Sequence, residues 1–288
     1  MTEPTPPIFL TTKELAELLR VKERTVYDLA AEGQIPQRRI TGKLLFPRAA
    51  VLRWIDGERE GQKAPRPAIL SGSHDPLLDW AVRASDCGLA TLWNGSQSGL
   101  GKFAAREAGL SGLHIPDADG WNVGSVTTLA PEDAVLVGFA TRSRGILYRE
   151  EIGPIEDVIG LRGRRVVQRQ PGAGAAVLLE KLLKKNGLRL SDLTDAPVAR
   201  TEGEAAAAVA SGSAEAALGL ASVAREYRLP FTPLMTEHYD LLIDRRSYFT
   251  PEVQTLLSFT KSSAFADRAA SLAGYDVSAL GVVRWLSD

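Results

Sequence analysis

Between Thr11 and Ile55 the sequence permits few folds. Leu15, Leu18 and Leu19 recur at helical spacing behind a cap from Thr11 or Thr12, with Glu14 in the first turn. A break at Arg20–Val21 precedes a second helical pattern, about Lys22 to Glu32, expected to bury Val26 and Leu29. Gly33 ends it, because glycine reaches left-handed angles without strain. Two short helices across a tight turn make a helix-turn-helix. Arg38-Arg39-Ile40 and Lys43-Leu44-Leu45-Phe46 flank Thr41-Gly42 and predict a small hairpin. Pro47 then opens a third helix, with Val51, Leu52, Trp54 and Ile55 as its expected core face.

This stretch is also the basic part of a balanced chain. From Arg20 to Trp54 there are eight basic and three acidic residues, a net of +5, against −1 for all 288 residues. A local positive surface on an otherwise balanced protein is the footprint of phosphate contact. Asp56 to Pro67 (DGEREGQKAPRP) is polar and contains Gly and Pro, which marks a linker. Length allows one small and one large domain, here 9–56 and 68–288 with a linker at 57–67.

After the linker, apolar strands alternate with helices. Expected strands are Ala68–Leu70, Leu89–Trp93, Gly112–Ile115, Ala134–Ala140, Arg164–Gln168, Ala216–Leu220 and Tyr239–Ile243. Helices are expected after Asp75, over Ser98–Ala108, Ala175–Lys185 and Glu204–Ala210, and within Val253–Leu272. Such alternation predicts an α/β fold with mainly parallel sheets. Three loops share one design, an apolar strand followed by small residues and a helix start: Ser71-Gly72-Ser73-His74-Asp75, Asn94-Gly95-Ser96-Gln97-Ser98 and Gln170-Pro171-Gly172-Ala173-Gly174. Free amides at helix N-termini favour negative charge, and loops at strand carboxyl ends line the crevice of open α/β sheets. None is a GxGxxG or a P-loop, so no nucleotide is expected, and no cofactor.

Enzyme chemistry finds no frame. No nucleophile elbow or recognisable carboxylate pair is visible. His74, His114 and His238 are the three histidines, their intervals lack metal-ligand spacing, and no metal site is expected. The single cysteine, Cys87, excludes internal disulfides and suggests a reducing compartment. With no basic-then-apolar leader pattern and no apolar run of membrane length, the expectation is a cytoplasmic chain without a membrane partner.

The string Leu18-Leu19-Arg20-Val21, Arg24-Thr25-Val26-Tyr27, Glu32-Gly33-Gln34-Ile35-Pro36, Gly42, Phe46 and Trp54 resembles the excisionase-type helix-turn-helix, a relative of the MerR winged domain. The resemblance implies that Lys22, Arg24, Thr25 and Tyr27 face double-stranded DNA, with Arg38, Arg39 and Lys43 on phosphates. Arg20 stands where glycine is common, and Lys22 where Ser or Thr usually caps the second helix.

Residues 68–245, through GSHDPLLDWA, TLWNGSQSGLGKFAAREAGLSGLHIPDADGWNV, VVQRQPGAGAAVLLEKLLKKNGL and AAAAVASGSAEAALGLASVAREYRLPFTPLMTEHYDLLI, resemble the cytosolic domain of the periplasmic-binding-protein superfamily. That domain is often fused to a helix-turn-helix, and it also occurs with molybdopterin-biosynthesis proteins. The resemblance implies a two-lobed type II clamshell, lobe one about 68–143 and 240–288, lobe two about 144–235. Its implied ligand is an oxyanion such as molybdate or tungstate, or a small polar metabolite. Ser71, Ser73, His74, Asn94, Gly95, Ser96, His114, Gly172, Gly174, Tyr239 and Asp240 fall in the matching motifs. The chain has Ala175-Ala176 where Thr-Arg is usual, and Arg169 is the candidate replacement for the charge. Together these features lead to the expectation of a ligand-responsive transcription regulator, dimeric or larger. The alternative is a non-regulatory binding module in molybdenum-cofactor metabolism.

Overall fold

The computed structural model describes residues 7–55, 64–118, 120–129 and 131–287. It divides into two compact units, 1–65 and 66–288. Most of the expected linker, 57–63, lies outside the described residues, as does the side chain of Arg53.

The first unit runs β1 (Phe9–Leu10), α1 (Thr12–Leu19), α2 (Glu23–Ala31), β2 (Arg38–Ile40), β3 (Lys43–Pro47) and α3 (Arg48–Ile55). Thr11 and Glu14 form a reciprocal capping box at α1, satisfying two of the orphan donors there. Arg20 closes α1 at φ 56°, ψ 40°, the left-handed conformation that makes glycine common at this position. Lys22 caps α2 without a side-chain hydrogen bond, the cost of replacing Ser or Thr. β3 pairs with β2 as the expected hairpin and with β1 on its other edge, making a three-stranded sheet. Leu15, Val26, Ala30, Ile35, Phe46 and Val51 form the core. The expected stripes were too wide: Leu18, Leu52 and Ile55 are exposed, and Leu19, Leu29 and Trp54 only partly buried. Three short helices around one small sheet have room for about one inward position per turn.

The second unit opens with β4 (Ile69–Gly72), α4 (Pro76–Ser85), β5 (Ala90–Trp93), α5 (Ser96–Ala104), β6 (Leu110–Leu113) and α6 (Val123–Leu129). Then come β7 (Ala134–Tyr148), β8 (Gln168–Arg169), α7 (Gly174–Lys185), β9 (Val198–Ala199), α8 (Glu202–Ala210), β10 (Ala216–Leu220) and α9 (Ala221–Glu226). The chain returns through β11 (Phe231–Asp244), α10 (Arg245–Tyr248), α11 (Pro251–Phe259), α12 (Ser263–Ser271), β12 (Tyr275–Asp276) and β13 (Val283–Leu286).

The large sheet has the order β10-β7-β11-β6-β4-β5, with β12 and β13 also on β7. Pairing is parallel for β4–β5 and β4–β6, and antiparallel for β7 with β10, β11, β12 and β13 and for β11 with β6. The sheet is therefore mixed, against the expectation of mainly parallel pairing. The expected strands at 134–140 and 239–243 proved to be the ends of two strands of 15 and 14 residues. These run side by side through both halves of the unit. One core lies on Leu77, Phe139, Tyr239, Leu256 and Phe265, and others on Ile146, Leu179 and Leu218 and on Leu147, Val209 and Leu220. Each fully buried Leu or Phe contributes about 1.5–3 kcal/mol. Between the cores the β7–β11 register shifts twice, at Pro233/Met235 and at Tyr239/Asp240. A proline cannot donate to the ladder, so it belongs at such an irregularity.

Candidate ligand cleft and nucleic-acid interface

In the first unit, Val26, Leu29 and Ala30 turn α2 inward, which leaves Arg24, Thr25 and Tyr27 outward on the adjoining faces. Lys22, Arg24, Thr25, Arg38, Arg39 and Lys43 are all exposed, and Tyr27 is 53 % exposed. A hollow of about 470 Å³ lined by Thr11, Lys13, Tyr27, Arg39 and Lys43 joins the second helix to the hairpin. Tyr27 of the helix and Arg39 and Lys43 of the hairpin thus share one surface hollow.

In the second unit, the three small-residue loops converge. Gly95, at φ 92°, leads into α5, and Ala173 leads into α7, neither start having a side-chain cap. A Cβ on Gly95 would lie 3.0 Å from the Ala173 Cα, and the Gln97 amide donates to the Gly172 carbonyl at 3.2 Å. Gly174 lies under His114: a Cβ there would stand 2.8 and 2.9 Å from the imidazole ring, as well as against the His114 carbonyl. Only a residue without a side chain allows this approach. Gly174→Val is therefore expected to push the two loops apart and free the Gln97 amide. Hydrogen exchange at Gln97 should accelerate; protection equal to the parent's would show that the contact does not hold the loops together.

The expected ligand residues divide into two groups. Ser73 and Ser96 share a hydrogen bond at 2.8 Å, Ser96 Oγ accepts the His114 amide at 3.1 Å, and the Tyr239 hydroxyl donates to the Ser73 carbonyl at 2.5 Å. These four residues, with Gly95, Gly172 and Gly174, form one wall-to-wall cluster. The others are committed to the fold. Ser71 Oγ donates to the Leu110 carbonyl, Asn94 Oδ1 accepts the Gly72 amide, and His74 sits edge-on to Trp93, 3.8 Å from Asp79. Arg169 donates to Glu202 and to the carbonyls of Ala199 and Arg200. Asp240 accepts from Asn122, deep in the first half.

Four residues that sequence reasoning missed fill the place between the halves. Arg142, Arg144, Glu237 and Glu202 are essentially without solvent exposure. Together with Asp75 and Arg169 they make a chain of alternating charge. Asp75 Oδ2 accepts Arg142 Nη1 at 2.8 Å, and Arg142 Nη2 donates in turn to Glu237 Oε1. Glu237 takes Arg144 in bidentate fashion at 2.7 and 3.0 Å, Arg144 Nη1 reaches both Glu202 oxygens at 3.0 Å, and Glu202 holds Arg169 at 2.9 Å. Burial alone would raise Glu202, but Arg144, Arg169 and Arg142 bring it down to about 2. Glu237 likewise falls well below the carboxylate range, burial being outweighed by Arg142 and Arg144. Burial lowers His114, so its imidazole is neutral at pH 7 even beside Glu237. The signal was present in the sequence: Arg142 and Arg144 are two apart in a strand, hence on one face.

Among the described residues no group of three or more His, Cys, Asp or Glu is placed to hold a metal. Among the described residues, too, no helix is long and apolar enough to cross a membrane.

A two-half α/β unit with paired long strands through both halves, and small-residue loops from both halves that meet, is the architecture of a clamshell binding protein. Residues 80–261 match the PBP superfamily domain, and residues 9–59 match a helix-turn-helix domain. The chain belongs to the PBP superfamily domain family. A Bacillus subtilis protein, the uncharacterized YvgK, is 25 % identical over 301 residues, spanning 95 % of this chain and 96 % of its own. A Clostridium perfringens protein assigned to phosphate ABC transport as substrate-binding protein, solved with phosphate, has the same fold. It is 12 % identical, with a TM-score of 0.52 over 70 % of this chain and 96 % of that one. Both matched families are binding domains, which makes the chain a binding or regulatory protein and not an enzyme. A helix-turn-helix joined to such a domain is the organisation of a DNA-binding regulator with a ligand-binding domain.

Proposed function

We propose that the chain is a cytoplasmic transcription regulator whose clamshell senses a small oxyanion. Molybdate and tungstate are the first candidates, through the groups around Ser73, Ser96, His114 and Gly174. The observation that carries the reading is the meeting of two helix starts without side-chain caps, at Gly95–Ser96 and Ala173–Gly174, one from each half of the unit. Each start carries about half a positive charge, so bringing two together favours an anion between them. The phosphate held by the Clostridium perfringens protein adds phosphate to the panel. We take the lobes to divide near 143 and 236–240, a reading supported by the nearby register shifts of β11 at Pro233/Met235 and Tyr239/Asp240. A homodimer follows from the short reading head, since operators commonly pair two half-sites.

Thermal unfolding of the full chain with molybdate, tungstate, sulfate, phosphate and formate tests this. An anion at about 100 times its dissociation constant should stabilise by about 2.7 kcal/mol, a shift of several degrees. The same anion must change operator affinity by the factor by which operator changes anion affinity. A chain that binds an anion with no effect on DNA would be a binding module rather than a sensor. If none of the panel stabilised it, the oxyanion reading would fail.

A further inference from the structure

The buried guanidinium pair on β7 already has an occupant. Arg142 and Arg144 point the same way from β7, and Glu237 lies directly opposite Arg142 on β11. Its Oε1 accepts from Nη2 of both arginines, and its Oε2 accepts Arg144 Nε at 3.0 Å. Oε2 also lies 3.4 Å from His114 Nδ1. Tyr239 forms the floor, with the Arg142 guanidinium 4.5 Å above its ring and His114 stacked beside it.

The fit is incomplete. Arg142 Nε is buried without a hydrogen-bond partner, and His114 Nδ1 faces Glu237 Oε2 only at 3.4 Å, too long for a well-formed bond. Leaving a buried polar atom unpaired is costly. A carboxylate has two oxygens in one plane, and both are engaged by the arginines. A tetrahedral oxyanion has four, directed away from one another, and can meet donors that a planar group leaves out. The seat is built for more acceptors than its occupant supplies.

We propose that Glu237 is a built-in counter-anion, seated between Arg142 and Arg144 where a small tetrahedral oxyanion binds, and that it sets the anion affinity of the clamshell by competing for that seat. This rests on the anion-sensing reading above and adds the group that limits it. A ligand must displace a carboxylate held by two guanidinium groups, so weakly charged anions are excluded and affinity is held down. Carboxylate removal leaves Arg142 and Arg144 with fewer negative partners and opens the seat.

The test is isothermal titration of the full chain with molybdate, phosphate and formate, parent against Glu237→Gln. The variant is expected to bind at least one of these about tenfold more tightly than the parent. Formate, which replaces the missing carboxylate, should also raise the variant's melting temperature more than the parent's. A folded variant with anion affinity equal to or below the parent's overturns the proposal. Should Glu237→Gln fail to fold, Glu237→Asp keeps the charge but withdraws it by one methylene. That variant should bind about threefold more tightly, and equal or weaker binding again overturns the role. Tight anion binding by the parent without a gain in either variant removes Glu237's role and leaves the sensor reading standing. No binding by the parent or by either variant removes both.

Discussion

Arg142→Ala is expected to lower the unfolding free energy of the second unit by about 3–5 kcal/mol, roughly 10 °C or more in melting temperature. The reason is what it leaves behind. Arg142 is fully buried between Asp75 and Glu237, and its removal leaves buried Asp75 without a cation and Glu237 with Arg144 alone. The worth of the pairs themselves matters less than this uncompensated charge. Arg83→Ala provides the contrast. Arg83 also pairs with an aspartate, Asp79, at 2.6 Å, but its side chain is 71 % exposed. Its removal should cost under about 1 kcal/mol. Urea unfolding of both variants decides the matter; an Arg142→Ala effect as small as that of Arg83→Ala would mean that the chain of charges is hydrated.

On DNA, the expected large effect lies in the wing. Converting Arg38, Arg39 and Lys43 together to glutamine should reduce the slope of log Kobs against log salt by about 2.7, roughly 0.9 for each phosphate no longer neutralised. At physiological salt this amounts to about a hundredfold weaker binding, spread evenly over sequences, since groups on phosphates position the protein but do not specify a sequence. All three are exposed on or beside one hairpin, so the melt of the variant should be little changed. Anisotropy titrations at several salt concentrations give the slope directly. An unchanged slope would place DNA elsewhere on the domain.

The parts of this protein that were legible in the sequence are those whose physics is local. The Thr11–Glu14 box, Gly33, the hairpin and the small-residue loops each depend on residues a few positions apart. Ser73, Ser96 and Gly174 could be found because strand, small residue and helix start follow one another along the chain. Arg142 and Glu237 are 95 residues apart, Arg144 and Glu202 58 apart. No local pattern pairs them, and charged residues beyond the end of an apolar run ordinarily read as exposed. The direction of strand pairing was hidden for the same reason. Alternating strands and helices suggested crossovers, but β7 is long enough to take four antiparallel partners along its length.

The length of β7 also has a consequence for synthesis. Its partners β10 and β11 leave the ribosome about seventy and eighty residues after Tyr148. At translation speeds of about 5–20 residues per second, the strand waits roughly 4–16 seconds for its main neighbour. During that interval a 15-residue, mostly apolar segment has both edges bare. The two arginines within it are then the segment's own safeguard: charge inside an unpaired strand discourages its sticking to other nascent chains, until Glu237 arrives on β11 and neutralises it.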